Sequence, residues 1–555
     1  MMLRNAFRLP TTSRVAAQMR PFATGEYRST GTMTKIVCTM GPSSDKKAIV
    51  NELVQTGLNV ARLNFSHAGS DYTYPKHCMD LVRSACDTHC NITVEPGVSV
   101  ANNTRAVLVD TKGPEIRTGP LQGNAEIAEI ADGALVEVTT QDVSSDEPPS
   151  PEGPHRLQVD YQSIAKSLEV GRLILLDDGL LALEVQNIDA DTNTVSCVAL
   201  NGGPIKKNKG VNLPDTQLDL PALTDKDKRD LKWACEVGAD YVAASFIRTP
   251  DNVRSVVAYL ERCCAALGPT HDGRHRLRPL VISKIESKEG VDNFDAILEE
   301  SDGIMVARGD LGVEIPFEDV FAGQKMMVSA CNAVGKPVIV ATQMLDSMQR
   351  NPRPTRAEVT DVGTAVLDGA DAVMLSGETA AGKYPLESVL AMRSVVNEAD
   401  KIKNKDGAIV CPEARISMPS IKAELDSVAE SAVRSAKDLN AKVVVCITQD
   451  GAAARALARH RPTVPVLAFC TDPQVARRLQ LHRSIVPLMF PIPIDPTDRN
   501  IRMGPLRAEA IRAAKEFGFV RTGDRVVTVD RTHGKTTDLH EISSNVKIST
   551  ISSAI

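Results

Sequence analysis

Aromatic side chains are scarce in this sequence. They make up 3% of 555 residues, and Trp233 is the single tryptophan. A nucleic-acid-binding protein usually offers aromatic platforms to the bases and an excess of basic residues to the phosphates. Here 64 Lys and Arg residues are outnumbered by 70 Asp and Glu residues, which gives a net charge of −6. The composition therefore argues against a nucleic-acid partner, although a local basic cluster could still bind a small anion.

Long apolar runs and an ordered cysteine framework are also missing. The best candidate for a membrane span, residues 173–185, is interrupted by Asp177 and Asp178 and falls short of the roughly 18 apolar residues that such a helix needs. The 12 cysteines are scattered along the chain, which favours reduced thiols over a disulfide scaffold. We therefore expect no membrane partner, and a chain of this length should form about three or four domains.

The first 24 residues contain no acidic side chain, and the first acid is Glu26. Four arginines recur there among Ser, Thr and apolar residues: Arg4, Arg8, Arg14 and Arg20. An Arg-rich, acid-poor and amphipathic N-terminus is typical of an organelle transit peptide, and it fits a mitochondrial presequence better than a plastid one. We predict mitochondrial import with residues 1–24 as the transit peptide. The alternative is a disordered basic N-terminus on a cytoplasmic protein.

One unit repeats between Lys35 and Ser376: a short apolar run, then turn residues, then a helix-like stretch. Continuous apolarity indicates strands buried on both faces, as in a parallel sheet with crossover helices. Eight runs have this character: residues 35–39, 60–64, 106–110, 240–245, 280–284, 303–307, 337–341 and 371–375. Eight strands close into a (β/α)8 TIM barrel, which is the predicted α/β fold. An open doubly wound sheet is the alternative, but no GxGxxG turn follows the first run.

Polar and ionisable residues gather where seven of these runs end. In a TIM barrel the carboxyl ends of the strands carry the active site, so these residues should converge on one face. In chain order they are Arg62, Asn64, Ser66 and His67; Asp110, Thr111 and Lys112; Ser245; Lys284 and Glu286; Arg308, Gly309 and Asp310; Thr342 and Gln343; and Ser376 and Glu378. The sequence thus predicts a charged pocket at that face.

Two further domains are expected. Residues 112–239 are too many for one crossover helix, and they include short alternating runs at 134–138, 173–176, 180–185 and 194–199. Such runs indicate an inserted antiparallel β barrel or sandwich, which would cover the pocket as a lid. A helix near 427–439 and strands at 442–448, 464–469 and 525–529, the last strand, indicate a C-terminal α/β domain. The expected division is a barrel at 25–118 and 219–400, a lid domain at 119–218, and a C-terminal regulatory domain at 401–555.

The strand ends predict a metal-dependent phosphoryl-transfer site. Glu286 and Asp310 end adjacent strands and offer the oxygen ligands that Mg²⁺ requires. Lys284 and Glu286 are two residues apart, so their side chains point to the same side of the strand. An ammonium there can stabilise a phosphoryl group in transfer, and Arg62 and Arg117 add planar donors. Salt-bridged surface acids are the alternative for the carboxylates, and a structural ion pair is the alternative for Lys284.

A second cluster is rich in oxygen but carries one formal charge, which suits a monovalent cation better than a divalent one. It comprises Asn64, Ser66, Asp110 and Thr111. The alternative is a hydrogen-bonded network at the strand ends.

Two other motifs are weaker. A group of His and Cys residues lacks the paired spacing of zinc sites; it comprises His77, Cys78, Cys86, His89 and Cys90. Residues 377–384 (GETAAGKY) match a phosphate loop except that Tyr384 stands where Ser or Thr must hold Mg²⁺. We interpret that segment as a loop and the start of a helix.

Seven segments of the sequence resemble pyruvate kinase. They are residues 59–67 (NVARLNFSH), 110–119 (DTKGPEIRTG), 210–214 (GVNLP), 282–286 (ISKIE), 301–314 (SDGIMVARGDLGVE), 335–344 (GKPVIVATQM) and 351–358 (NPRPTRAE). The resemblance implies a TIM barrel with an inserted β-barrel lid domain and a C-terminal α/β domain, in a homotetramer. It also implies transfer of the phosphoryl group of phosphoenolpyruvate to ADP, giving ATP and pyruvate in the last step of glycolysis.

The resemblance further implies a role for each matching position in the substrate and Mg²⁺ sites. Arg62 and Lys284 would hold the phosphoryl group, with Lys284 stabilising the transition state. Glu286 and Asp310 would bind Mg²⁺ (or Mn²⁺). The backbone at Gly309 and Asp310 would bind the substrate carboxylate together with Thr342, which would also lie near the enolate carbon that takes up a proton.

The K⁺ and nucleotide sites are implied in the same way. Asn64, Ser66, Asp110 and Thr111 match the K⁺ site. The nucleotide contacts would be Asn64, His67, Arg117 and, from the lid, Lys209. Glu115 stands where K⁺-requiring members of the family carry Glu, so the resemblance implies K⁺ dependence.

Two rival functions and one regulatory question are open. A Mg²⁺-dependent lyase of phosphoenolpyruvate or oxo-acids would not need Lys209 or the K⁺ cluster. A non-catalytic metabolite-binding relative would have lost a key residue, and none of the matched positions is missing. In the C-terminal domain, the turn at residues 448–453 carries one hydroxyl, Thr448, and an acid, Asp450. In sugar-phosphate-activated members of the family that this chain resembles, a hydroxyl-rich turn at this place binds the effector phosphate. With one hydroxyl and an acid that repels phosphate, the turn here implies weak or no activation by fructose 1,6-bisphosphate.

Overall fold

The protein is described here by a computed structural model. It describes residues 33–89, 91–95, 98–101, 104–147, 153–270, 273, 276–405, 420–490, 503–533 and 542–552. The basic N-terminal segment, residues 1–24, lies outside the described residues.

Eight parallel strands close into a barrel, which confirms the predicted fold. From the first to the eighth barrel strand they are Lys35–Thr39, Val60–Asn64, Ala106–Asp110, Tyr241–Ala244, Leu280–Ile285, Gly303–Ala307, Val338–Ala341 and Ala372–Leu375. Neighbours in the chain are neighbours in the barrel, and the first strand pairs with the eighth. Each strand agrees with one predicted apolar run to within one residue at either end.

Helices surround this barrel, and three of the longer ones begin at a threonine. Thr224, Thr249 and Thr355 each form a capping box with the side chain three residues later, which pairs two otherwise free backbone N–H groups. The barrel-domain helices are Lys47–Thr56, Thr73–His89, Asp225–Val237, Pro250–Leu267, Lys288–Asp292, Phe294–Glu300, Arg308–Glu314, Phe317–Val334, Arg356–Asp368, Gly377–Ala380 and Pro385–Lys405, with 3-10 turns at Phe65–His67 and Asp346–Gln349. A hairpin of Asn91–Glu95 and Val98–Ala101 precedes the third strand.

The inside of the barrel is a packed core. Side chains such as Val37, Leu108 and Tyr241 fill it and are fully buried. Leu481 of the C-terminal domain belongs to the same buried cluster, and the Tyr241 hydroxyl donates a hydrogen bond to the Arg478 carbonyl. Because the C-terminal domain thus covers one end of the barrel, the carboxyl ends of the strands are left for the functional site.

The inserted domain is a second closed barrel of seven strands, which confirms the predicted β barrel. Its strands are Ile116–Leu121, Leu135–Thr139, His155–Val159, Leu173–Leu176, Leu181–Asp189, Thr194–Ala199 and Gly210–Asn212. A two-stranded sheet of Ile127–Ile130 and Gly203–Lys206, a short helix at Ile164–Ser167 and a 3-10 turn at Gln122–Asn124 complete it. The strand Ile116–Leu121 crosses the expected boundary between residues 118 and 119.

The C-terminal domain is a five-stranded sheet with helices. In sheet order the strands are Ile485–Met489, Val466–Cys470, Val443–Thr448, Arg525–His533 and Ile542–Thr550, and the helices are Ser420–Asp438, Ala452–Arg459, Pro473–Arg478 and Met503–Glu516, with a 3-10 turn at Leu479–Leu481. The expectation that the strand at 525–529 is the last one is wrong. Ile542–Thr550 pairs antiparallel with it at the sheet edge, and its many polar residues hid it because an edge strand needs little apolar sequence.

No helix in the described part of the chain is long and apolar enough to cross a membrane. The ten cysteines within that part are free thiols.

Asp400 lies on the last barrel-domain helix and connects that helix to Met33 and Thr34, before the first barrel strand, and to the C-terminal domain. Its carboxylate accepts hydrogen bonds from the backbone of Met33 and Thr34 and from the Thr34 hydroxyl, each at 3.0 Å. The Arg483 guanidinium also donates to it at 3.0 Å, and both side chains are buried.

We predict that Asp400→Ala destabilises the protein by about 3 to 5 kcal/mol, because it leaves the Arg483 charge buried without a partner. The matched control is Glu398→Ala on the same helix, whose partner Lys401 lies 3.1 Å away with both side chains 66% exposed. That variant should lose at most about 1 kcal/mol. Urea-induced unfolding followed by circular dichroism measures both, and equal losses would contradict the anchoring role of Asp400.

Candidate functional site

The predicted charged pocket forms around Lys284 at the carboxyl ends of the barrel strands. The Lys284 ammonium lies 2.9 Å from a Glu286 carboxylate oxygen and 3.3 Å from one of Asp110. It donates a hydrogen bond to the Ser245 hydroxyl at 2.8 Å. Arg62 donates to the other Asp110 oxygen at 2.6 Å. Four barrel strands therefore contribute to one cluster with two cations and two anions.

The pKa values in this cluster follow from its burial and its opposite charges. Burial alone would lower the pKa of Lys284, but the Asp110 and Glu286 carboxylates outweigh it and raise that pKa. Burial alone would raise the pKa of Asp110, but Arg62 and Lys284 lower it. Lys284 is therefore a firmly protonated ammonium, and Asp110 a firmly ionised carboxylate.

Glu286 and Asp310 have the opposite electrostatic situation. Burial raises the pKa of Glu286 to about 7, Lys284 opposes this, and Asp310 raises it further. Burial also raises the pKa of Asp310, again against Lys284. Glu286 accepts the backbone N–H of Phe246 at 2.6 Å, so it is fixed in place. Burial disfavours the charge of both carboxylates, and a hydrogen bond with Glu286 partly offsets this at Asp310 by lowering its pKa. Two neighbouring buried carboxylates with hard oxygen donors fit a divalent cation.

The expected monovalent-cation cluster spans the second and third strands. Asn64 and Asp110 stand side by side in the strand register. The Asn64 side-chain oxygen accepts the backbone N–H of Ser66 at 3.1 Å, and the Thr111 hydroxyl donates to the Ala243 carbonyl at 3.3 Å. Asp110 already pairs with Arg62 and Lys284, so its charge is shared between this cluster and the pocket.

The loop after the seventh strand carries backbone strain. Thr342 has φ +75° and Gln343 has φ +55°. A β-branched residue in the left-handed region costs about 1 to 3 kcal/mol, and such strain concentrates at functional sites. A Cβ placed on Gly309 would lie 2.8 Å from Thr342 Cγ2. Only a glycine backbone can approach Thr342 this closely, and it does so beside Asp310.

A cleft of about 550 Å³ lies between the barrel and the inserted domain, which is the predicted lid. Phe246 lines this cleft and bonds Glu286 of the Lys284 cluster, so the cleft lies beside that cluster. Asp310 lines it from the barrel, and Arg117 and Lys209 line it from the lid. Arg117 pairs with Glu115 at 2.5 Å, and Lys209 pairs with Asp177 at 2.8 Å. These residues, far apart in sequence, therefore share one cleft as expected.

Acidic side chains outnumber basic ones in this cleft. Its eight acids are Glu115, Asp177, Asp178, Asp215, Glu289, Asp292, Asp310 and Glu314, and its four bases are Arg117, Lys209, Arg248 and Lys288. A phosphorylated ligand is itself anionic, so the cleft can accept one only if cations enter with it.

The His and Cys motif is described only in part, because Cys90 and the His89 side chain lie outside the described residues. Among the residues that the structure describes, no group of three or more His, Cys, Asp or Glu side chains is arranged to hold a metal. Residues 377–384 begin with a helix at Gly377–Ala380 after the eighth strand, as interpreted from the sequence. Glu378 of this helix accepts the backbone N–H groups of Leu345 and Ser376 at 3.0 and 2.7 Å, so it supports the loops.

The sequence does not reveal the contacts of two site residues. Ser245 lies at a strand end, but nothing in the sequence indicates that its hydroxyl meets Lys284. Asp177 interrupts an apolar run, and only the folded lid places it against Lys209. The His67 side chain lies outside the described residues.

Comparisons with known proteins agree across nearly the whole chain. Residues 32–389 match the family described as pyruvate kinase, barrel domain, and residues 426–543 match pyruvate kinase, alpha/beta domain. A human pyruvate kinase is 41% identical over 89% of this chain and 82% of its own length. One from Trypanoplasma borreli is 41% identical over 90% and 92%. The crystal structure of a pyruvate kinase from Cryptosporidium parvum has a TM-score of 0.79 and 34% identity, covering 93% of this chain and 96% of its own.

A hydrogen bond joins the lid to the barrel, and its contribution to holding the lid can be tested by mutation. The Asn212 amide donates to Glu314 at 2.7 Å. We predict that Asn212→Ala loosens the lid by about 1 kcal/mol, so that backbone hydrogen exchange near 210–212 becomes about fivefold faster. The control is Asn201→Ala, because the Asn201 side chain bonds the Leu180 and Ala182 backbone within the lid. Unchanged exchange near 210–212 would show that the bond does not hold the lid.

Proposed function

This chain belongs to the pyruvate kinase family and transfers the phosphoryl group of phosphoenolpyruvate to ADP, giving ATP and pyruvate; on that premise we propose the roles of its site residues. The observation that carries the proposal is the Lys284 ammonium held between Asp110 and Glu286. It is firmly charged, and its partner Glu286 is held by the backbone of Phe246, which lines the cleft between the barrel and the lid. Phosphoryl transfer depends on positioning and charge stabilisation of this kind.

Lys284 and Arg62 receive the phosphoryl group in this proposal. Both side chains are largely buried, with exposed fractions of 12% and 11%, so their charges act in a medium that screens them little. Arg62 offers a planar fork of donors to the phosphoryl oxygens. Lys284 stabilises the charge that builds up as the group moves from the enolate oxygen to ADP, and no protein nucleophile is required.

Glu286 and Asp310 are proposed to hold Mg²⁺ or Mn²⁺. Their raised pKa values, their oxygen donors and the acidic excess of the cleft support this. When bound, the metal would neutralise charge on the transferring oxygens. Asn64, Ser66, Asp110 and Thr111 are proposed to hold K⁺, and the oxygen-rich pair of strands supports it. Glu115 belongs to the proposal of K⁺ dependence, and its carboxylate is paired with Arg117 inside the cleft.

Thr342 and the backbone at Gly309 and Asp310 are proposed to bind the substrate carboxylate. The close approach of Thr342 to Gly309 supports a shared site. After transfer the enolate takes up a proton on carbon, and the Thr342 hydroxyl is proposed to stand next to that carbon. Asn64, His67, Arg117 and Lys209 are proposed as the nucleotide contacts, and the two lid residues among them line the cleft.

The first experiment is pyruvate formation from phosphoenolpyruvate by residues 25–555, with Mg²⁺, with and without ADP, in K⁺ or Na⁺ buffer. We expect turnover that requires ADP and is lost in Na⁺, because the K⁺ cluster and Glu115 need their cation. Full rate in Na⁺ would contradict the K⁺ site. Pyruvate formed without ADP would instead favour the lyase alternative or a phosphatase.

A second prediction concerns Lys284. Lys284→Met removes charge stabilisation from the transition state, so kcat should fall far more than KM rises. Steady-state kinetics at saturating ADP measure both constants. The control is Lys288→Met, since Lys288 lines the nearby cleft but pairs at 2.5 Å with Asp292 on its own helix. Equal changes in kcat and KM for Lys284→Met would remove the proposed role.

The remaining expectations stay proposals. A homotetramer is supported by exposed apolar side chains, with Phe317 85% and Phe321 58% exposed on one helix, and by Ile548 on the edge strand. Mitochondrial import rests on the basic segment 1–24, and a cytoplasmic location is the alternative. The domain limits at 118/119, 218/219 and 400/401, and the weak response to fructose 1,6-bisphosphate, are likewise predictions.

A further inference from the structure

The strained backbone at Thr342 is held by Arg308, which follows the sixth strand. One Arg308 nitrogen donates to the Thr342 carbonyl at 2.7 Å, and another donates to the Ala341 carbonyl at 3.2 Å. A β-branched residue stays in the left-handed region only when its surroundings fix it there. Arg308 fixes Thr342 from the end of the neighbouring sixth strand, next to the close contact between Gly309 and Thr342.

Arg308 is itself held by Asp361 on the helix Arg356–Asp368. The two side chains form a two-point pair, with both nitrogen-to-oxygen distances 2.7 Å. Arg308 is largely buried, with an exposed fraction of 14%, while Asp361 is 35% exposed. A fork-to-carboxylate pair fixes the plane of the guanidinium as well as its position. The direction of the hydrogen bonds to Ala341 and Thr342 therefore depends on Asp361.

We propose that Asp361 is a positioning residue for the proton-transfer half of the reaction. It orients Arg308, Arg308 holds the Thr342 carbonyl, and the strained backbone sets where the Thr342 hydroxyl stands. Asp361 touches no substrate in this account. The inference rests on the proposed role of Thr342 beside the enolate carbon.

The packing around Thr342 explains why small displacements matter. The Thr342 side chain packs directly against the Gly309 backbone, so a relaxed loop would move the hydroxyl away from Gly309. Leu345, three residues further on, remains fixed by Glu378. Loss of Asp361 should therefore disturb Thr342 locally and leave the rest of the loop in place.

The test follows exchange of the methyl hydrogens of pyruvate with deuterated water, measured by NMR with Mg²⁺, K⁺ and ATP. In this exchange a carbon–hydrogen bond breaks, the proton leaves to solvent and a deuteron returns, so no phosphoryl transfer is needed. Asp361→Asn should slow it by about ten- to a hundredfold, because a small displacement of the Thr342 hydroxyl moves it away from the enolate carbon. Arg308→Lys should act in the same direction, because lysine keeps the charge but lacks the fork.

The control is Asp368→Asn on the same helix. Asp368 pairs with Lys325 and, among the described contacts, touches neither Arg308 nor the seventh strand directly. Gln324 lies between them, since it donates to Asp368 at 3.5 Å and accepts from Arg308 at 3.4 Å, and both of these bonds are long. That variant should exchange at the parent rate. A loss in Asp368→Asn equal to that in Asp361→Asn would overturn the proposal, since the effect would then come from the helix as a whole.

A double-mutant cycle with Thr342→Ala separates this inference from the role of Thr342. If Asp361 acts through Thr342, the Asp361→Asn, Thr342→Ala double variant should be no slower than Thr342→Ala alone. Additive losses would overturn the inference while leaving Thr342 in its role. An unimpaired Thr342→Ala protein would remove that role, and the inference with it. Circular dichroism and Mn²⁺ binding by electron paramagnetic resonance would establish that each variant is folded.

Discussion

The rest of the site depends on the ion pairs that the Lys284 ammonium forms with Asp110 and Glu286. Each of these carboxylates also has a second partner. Asp110 also pairs with Arg62, while Glu286 faces Asp310 and the Phe246 backbone. Removing Lys284 would leave Glu286 without its ion-pair partner, and removing Asp110 would leave Arg62 without one, which costs several kcal/mol in each case. The barrel makes this arrangement rigid because each member stands at the end of a strand whose other residues are fixed in a packed core.

The excess of acidic side chains in the cleft explains why a lid over it would be useful. An acidic cavity repels phosphorylated ligands unless cations accompany them, and Asp310, one of these acids, is a proposed ligand of such a cation. The lid contributes both signs, with Lys209 and Arg117 each paired to a neighbouring acid. These pairs are partly exposed, so exchanging an acid for a phosphate costs little. Closure of the lid would therefore act on side chains that are already in place and whose ion pairs are weak.

Backbone strain occurs in the loop after the seventh strand, where that loop packs against Gly309. Thr342 adopts a backbone conformation that β-branched residues avoid, and its neighbour is the glycine that precedes Asp310. Elements outside the pocket stabilise this loop: Arg308 with Asp361 on one side and Glu378 on the other. The barrel helices thus do more than cover the strands, because two of them carry carboxylates that fix loop geometry. Such remote support is a common requirement for placing a reactive group within a fraction of an ångström.

The sequence by itself determined the barrel, because strands buried on both faces leave continuous apolar runs, and all eight runs became barrel strands. It also indicated which strand ends carry charge, and residue spacing placed Lys284 and Glu286 on one side of a strand. It missed the edge strand Ile542–Thr550, where solvent contact removes the apolar signal. Only the tertiary structure decided that Ser245 meets Lys284, that Asp177 meets Lys209 and that Asp361 reaches Thr342 through Arg308. These contacts join residues between 32 and 53 positions apart, and a sequence records no such pairing because it depends on where each strand, loop and helix packs.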